Sequence, residues 1–216
     1  MNIDWVWSNL DEIWGLTLSH IVLTLLPTII GLLISLPIGW WAYAHGKVYP
    51  AITGVAGILY TIPSLALFVL LPQILGTKVL DPLNVVVALT VYTVALMVRV
   101  VADGLASVPP ETVLAATAMG YRGWQRLLHV ELPVALPVIA DGLRVVVVSN
   151  VSIVTVAALV GVPQLGSLFT QGFILRLFVP IITGVILCLV LAIVFDLLIV
   201  WGNRALTPWR QRVETS

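Results

Sequence analysis

Leu114-Ala115-Ala116-Thr117-Ala118-Met119-Gly120, then nine residues, then Val130-Glu131-Leu132-Pro133 is the stretch that decides how this chain is read. It lies in a polar interlude from Ala102 to Pro133, flanked on both sides by apolar runs long enough to cross a bilayer. The interlude therefore reads as a soluble helix–Gly–helix block held at one membrane face. A block of that kind is built to touch something in water.

Composition agrees. The 216 residues are 60% hydrophobic and 9% charged, with a formal net charge of zero. Soluble domains carry about 25% charged residues, so most of this surface faces lipid. Zero net charge argues against a nucleic-acid binder, which would carry a basic surplus. One cysteine, Cys188, gives neither a disulfide framework nor a metal cluster. His20, His45 and His129 are too scattered for metal-ligand spacing. No G-x-x-x-x-G-K-[ST] phosphate loop occurs, so no catalytic or nucleotide site is expected. The start, Asn2-Ile3-Asp4-Trp5, lacks the basic region of a cleavable signal peptide.

Five apolar runs predict an all-α polytopic membrane protein: Leu18–Tyr43, Ala51–Leu75, Leu83–Val101, Val134–Val160 and Phe178–Gly202. Their length and lack of strict alternation exclude barrel strands. Residues 1–17, with Trp5, Trp7 and Trp14, read as an interfacial lead-in, residues 18–202 as the membrane domain, and 203–216 as a tail. Orientation follows the Lys/Arg count. Placing the C-terminus in the cytoplasm puts Lys47, Arg99, Arg122, Arg126, Arg144, Arg204, Arg210 and Arg212 inside, and only Lys78 and Arg176 outside. The N-terminus is then outside and the 102–133 block cytoplasmic. Trp40, Trp41, Trp201 and Trp209 fall at the inner interface as an aromatic belt.

Within the block, Ser107 is a predicted helix cap, with Pro109 or Pro110 in the first turn and Glu111 at the positive end of the dipole. Thr112–Met119 continues that helix, and Gly120 stands where a left-handed C-terminal cap belongs. A second helix, Arg122–His129, is closed by Leu132-Pro133. Ala115, Ala116 and Met119 share a helix face, small and closely approachable. From spacing alone, docking to a partner and lying flat on the membrane are equally open.

The spacing resembles the EAA motif of ABC-importer permeases: Glu-Ala-Ala, three residues, Gly, nine residues, an aliphatic, one residue, Leu-Pro. Ala115, Ala116, Gly120, Val130, Leu132 and Pro133 match residue for residue, while Leu114 takes the Glu position and Glu111 lies one turn earlier. Thr61-Ile62-Pro63-Ser64-Leu65-Ala66-Leu67 resembles a segment of quaternary-amine permeases, the glycine betaine/carnitine/choline osmoprotectant importers. Gly161-Val162-Pro163-Gln164-Leu165-Gly166 aligns with their Gly-Ala-Gly-Gly-Leu-Gly turn, stiffened by Pro163 and Gln164. The resemblance spans roughly Leu18 to Gly202, and a methionine-type or other amino-acid importer permease ranks second. It implies a permease subunit of the cell inner membrane that works by alternating access. Its implied partners are two ABC ATPase subunits, a second permease chain, and a periplasmic or lipid-anchored substrate-binding protein. ATP and Mg would sit on the ATPase. It further implies that Glu111, Leu114, Ala115, Ala116, Met119, Gly120, Arg122, Leu132 and Pro133 form the ATPase-coupling surface. An ATP-independent secondary transporter is the reading from another class; the inverted repeats such folds carry are not found.

Polar side chains on the spans mark a translocation path or interhelical hydrogen-bond glue. They are Tyr60, Thr61 and Ser64 around Pro63, Thr90, Tyr92 and Thr93, and Ser149, Asn150, Ser152 and Thr155. A quaternary ammonium cannot donate hydrogen bonds and prefers aromatic faces, which suits Tyr60 and Tyr92. The Asn150-Val151-Ser152 sequon is discounted because it lies within a span. Asp196 is taken as the one acid deep in a span, and its partner is expected to be Arg99, at matched depth, or Arg144.

Overall fold

The computed structural model describes residues 4–209, and among these every regular element is helical. Arg210 and Arg212, used above for orientation, and Asn2, used for the signal-peptide reading, lie outside the described residues. The elements are α1 (Asp4–Ser8), α2 (Leu10–Ala44), α3 (Tyr49–Thr61), α4 (Ser64–Leu75) and α5 (Pro82–Ala106). They continue as α6 (Pro110–Ala118), α7 (Gly123–Arg126), α8 (Leu132–Val156), α9 (Ser167–Leu175) and α10 (Phe178–Leu206).

The helix that carries the first expected span starts earlier than Leu18. With Asp11 and Glu12 favourably placed in the first turn, α2 runs 35 residues from Leu10, so Trp14 lies on the same continuous helix as the expected span. At about 1.5 Å per residue it is roughly 52 Å long, well beyond a hydrocarbon core of about 30 Å. It packs most extensively on α5. Glycines permit the approach: a Cβ on Gly39 would stand 2.7 Å from Val101.

The second expected span, Ala51–Leu75, is two helices. α3 and α4 meet at an angle of 98°. Pro63 forces this: Ile62 before it is pushed into an extended conformation (φ −65°, ψ 128°), and Pro63 follows at φ −61°, ψ 131°. Four helical stretches remain long and apolar enough to cross a membrane, Leu10–Ala44, Pro82–Ala106, Gly123–Val160 and Phe178–Leu206, with the bent pair as a fifth at most.

α5 is the axis of the packing. Asp81 caps it, accepting the Leu83 N–H at 2.9 Å ahead of Pro82 in the first turn. In its most apolar window 61% of residues are buried, against 17% for α10, most of whose leucines and valines face outward. A buried polar node joins three helices: the Asn150 amide donates to Thr28 Oγ1 at 3.0 Å and Thr93 Oγ1 at 2.9 Å, linking α8 to α2 and α5.

Candidate functional site

The polar block is built as the sequence predicts at one end and differently at the other. Pro110 and Glu111 open α6, but Ser107 is no cap for it. Ser107 instead closes α5, its hydroxyl donating to the Gly104 carbonyl at 2.7 Å, and Pro109 precedes α6 in extended conformation. Gly120 has φ +85°. Around it, the Tyr121 N–H bonds the Ala116 carbonyl at 3.2 Å and the Gly120 N–H bonds that of Thr117 at 3.0 Å, the two bonds of a Schellman closure.

The face shared by Ala115, Ala116 and Met119 is split. Ala116 is 1% exposed and packs inside the block, whereas Leu114 (69%), Met119 (70%) and Ala115 look outward. A bulky residue at Ala116 would thus disrupt the block itself. The outward surface is apolar, adding Tyr121, Trp124 and Leu128 to Leu114 and Met119. Exposed apolar side chains on one element mark a contact surface, for protein or for membrane. Glu111 and Arg122 are exposed at its edges.

The second helix does not end at His129. α7 passes through a π-helical turn, Leu127–Glu131, straight into α8, so Leu132-Pro133 continues a helix where it was expected to close the block. The proline ring would meet the His129 carbonyl in a regular helix, and a widened turn just before it relieves that clash. Arg126 pairs with Glu131 through Nε and Oε1, and its Nη1 donates to Thr117 Oγ1 at 3.0 Å. Glu131 is 1% exposed, and among the described residues its Oε2 has no partner.

The ion pair between α8 and α10 is Arg144–Asp196. Arg144 Nε and Nη2 reach the two Asp196 oxygens at 2.6 and 3.0 Å, a bidentate fit. Arg99 instead lies 3.5 Å from Asp103 on its own helix and is largely exposed. Matched depth cannot fix azimuth, and α8, not α5, packs along α10. Asp196 is also not alone, because Asp141 lies within α8, 3.5 Å from Arg144.

The polar side chains of the spans divide between glue and surface. Asn150 and Thr93 are buried in the three-helix node. Tyr92 is buried and donates to the Ile62 carbonyl at 2.5 Å, satisfying the backbone where Pro63 breaks the chain. Tyr60 meets it edge-on at 5.8 Å with its own ring 40% exposed, and Thr61 bonds back to Ile58. Ser64 opens α4, half-buried. Thr155 bonds the Ser152 carbonyl at 2.6 Å, and Ser149 is half-buried. Ser152 falls on an outward stripe of α8 with Val138, Asp141, Val145 and Val148.

Sequence reasoning missed a second buried cluster. His20, fully buried, sets its ring nitrogens 3.1 Å from the Val151 carbonyl and 3.2 Å from Gln164 Oε1. Gln164, equally buried, also donates to the Thr155 carbonyl and accepts the Gly166 N–H, pinning the 161–166 turn to α2 and α8. A histidine inside an apolar run and a glutamine at a glycine position were the available signals.

The comparisons with known proteins fit this architecture. The family described as binding-protein-dependent transport system inner membrane component matches residues 31–211. The osmoprotectant import permease protein OsmW of Salmonella typhimurium is 34% identical over 209 residues, 95% of this chain and 97% of that protein. The glycine betaine/carnitine/choline transport system permease protein OpuCB of Bacillus subtilis is 28% identical over 203 residues, covering 93% and 91%. Among solved structures, one of the MetNI methionine ABC transporter in inward-facing conformations superposes with a TM-score of 0.82 at 24% identity, covering 96% of this chain and all of that one (100%). At that identity the likeness shows the fold.

Proposed function

We infer the function from the family: the chain belongs to the binding-protein-dependent transport system inner membrane components, which are membrane-spanning permeases with no catalysis of their own. We propose that it is the permease subunit of an ATP-driven importer for quaternary-amine osmoprotectants such as glycine betaine, carnitine and choline. The observation that carries the substrate class is the near full-length relation to OsmW, at 34% identity. The methionine transporter shares the fold, and its substrate does not transfer at 24% identity.

In this reading the bent pair counts as the second of five spans, the N-terminus is outside and the C-terminus is cytoplasmic. Two ATPase subunits carry the ATP and Mg, and one of them docks on the exposed side of this chain's 107–131 block. A second permease chain completes the path, and a periplasmic or lipid-anchored binding protein delivers the substrate. The apolar outward side of α6 and the Gly120 closure support a docking role for the block. Glu111, one turn before Leu114, offers the acid that the motif lacks at Leu114.

Co-expression with the partner ATPase tests the class: the ATPase subunit co-purifies, and proteoliposomes supplied with binding protein and ATP accumulate glycine betaine. Substrate accumulation driven by an ion gradient without ATP would reject the proposal.

A further inference from the structure

Five residues, Leu127–Glu131, wind as a π-helix between the exposed block and the long inner helix. Such turns are rare and concentrate at functional sites. Arg126 stands at the entrance of this one and Glu131 at its exit, joined as an ion pair. In an α-helix each residue advances about 100°, so residues five apart lie about 140° from each other around the axis and cannot pair. The i→i+5 bonding of a π turn stacks them. The ion pair therefore depends on the π turn, and it braces the widened turn that Pro133 calls for.

The same guanidinium reaches Thr117 on α6 at 3.0 Å, while Glu131 is buried at the foot of α8. A single side chain thus ties the outward helix, the turn and the inner helix together. The second Glu131 oxygen is buried without a partner, so the pair is costly to break yet a poor device for stability alone. Its geometry suits another task.

We propose that Arg126, acting through Glu131, is the positioning residue that passes the displacement of α6 into α8. The inference rests on the reading of the block as the ATPase contact. With the pair in place the π turn is locked and α6 moves with α8. Without it the widened turn that Pro133 calls for is no longer braced against α6, so α6 shifts against α8 and the push is absorbed.

The test uses the permease–ATPase complex in proteoliposomes with binding protein, measuring glycine betaine uptake and ATP hydrolysis in the same vesicles. Arg126→Gln should still capture the ATPase subunit and hydrolyse ATP, with uptake per ATP falling about 2- to 30-fold, the range for single residues that carry coupling between sites. Arg126→Lys, which keeps charge and reach, should recover part of the loss. The double variant Arg126→Gln/Glu131→Gln removes the lone buried carboxylate, guards against misfolding, and should remain uncoupled. Wild-type uptake per ATP in that double variant would overturn the proposal. So would loss of ATPase capture in both, which would make the pair a docking element. A wild-type chain that captures no ATPase subunit fails before any substitution, and removes the underlying reading together with the strut.

Discussion

Replacing Gly120 by valine isolates the turn between α6 and α7. A Cβ built there meets nothing within 4 Å, so no collision contributes to the cost. The cost is conformational, because φ is +85° and side-chain-bearing residues pay about 1–2 kcal/mol for that region, with β-branched ones at the upper end. The escape is to abandon the left-handed turn, which gives up the Tyr121–Ala116 and Gly120–Thr117 bonds. At about 1 kcal/mol net each, that loss is again roughly 2 kcal/mol. The two costs balance, so the valine variant divides its population between a strained turn and an opened one, in which α7 no longer holds its angle to α6. The membrane helices do not depend on this turn, so expression and insertion should be normal. Uptake per ATP hydrolysed, measured in proteoliposomes, should fall. Asn tolerates the left-handed region, and Gly120→Asn should keep most of the activity. Wild-type coupling in Gly120→Val, or equal damage from Asn and Val, would refute the reasoning.

Removing one end of the Arg144–Asp196 pair should lower the melting temperature of the purified protein. Asp196→Asn leaves a guanidinium without its bidentate partner, and Arg144→Met/Asp196→Leu should recover part of the loss. Arg99→Gln should leave the melting temperature unchanged, since Arg99 is exposed beside Asp103; a drop matching that of Asp196→Asn would restore Arg99 as the partner. Asn150→Leu removes two hydrogen bonds that join three helices and should destabilise by about 1–3 kcal/mol, at 0.6–1.7 kcal/mol per bond inside a membrane bundle. Thermal unfolding in detergent reads this, and a stability equal to wild type would show that the node is not a structural tie.

What the sequence made legible is set by one-dimensional quantities. Run length and hydropathy gave the α5, α8 and α10 spans to within a few residues. Position in a turn gave Gly120, because a left-handed closure after a helix leaves few residue choices. Where the outcome depended on a local breaker, the expectation failed in both directions. Pro63 bent a run that hydropathy joined, while Pro133 failed to end a helix because a π turn widened the chain just ahead of it. Both prolines act through the same missing N–H and the same ring. The difference lies in the neighbours: Tyr92 from α5 satisfies the Ile62 carbonyl at the first break, whereas the Arg126–Glu131 pair holds the second turn helical.

Depth along a helix can be counted from sequence, but azimuth cannot. Arg99 and Asp196 share a depth and never meet. Ser149, Asn150 and Ser152 sit within one turn, yet Asn150 is glue and Ser152 faces outward. That outward stripe of α8 carries Asp141, a carboxylate that lipid does not accommodate. Arg144 neutralises it only in part, because both of its short contacts, 2.6 and 3.0 Å, go to Asp196 and the one to Asp141 is 3.5 Å. By contrast, the outward side of α10 is leucine, isoleucine and valine and needs no cover. The α8 face is therefore the one that requires water or protein beside it. In the proposed assembly that is where the path runs against the second permease chain, with Ser152 and Asp141 on its wall and Asn150 behind it.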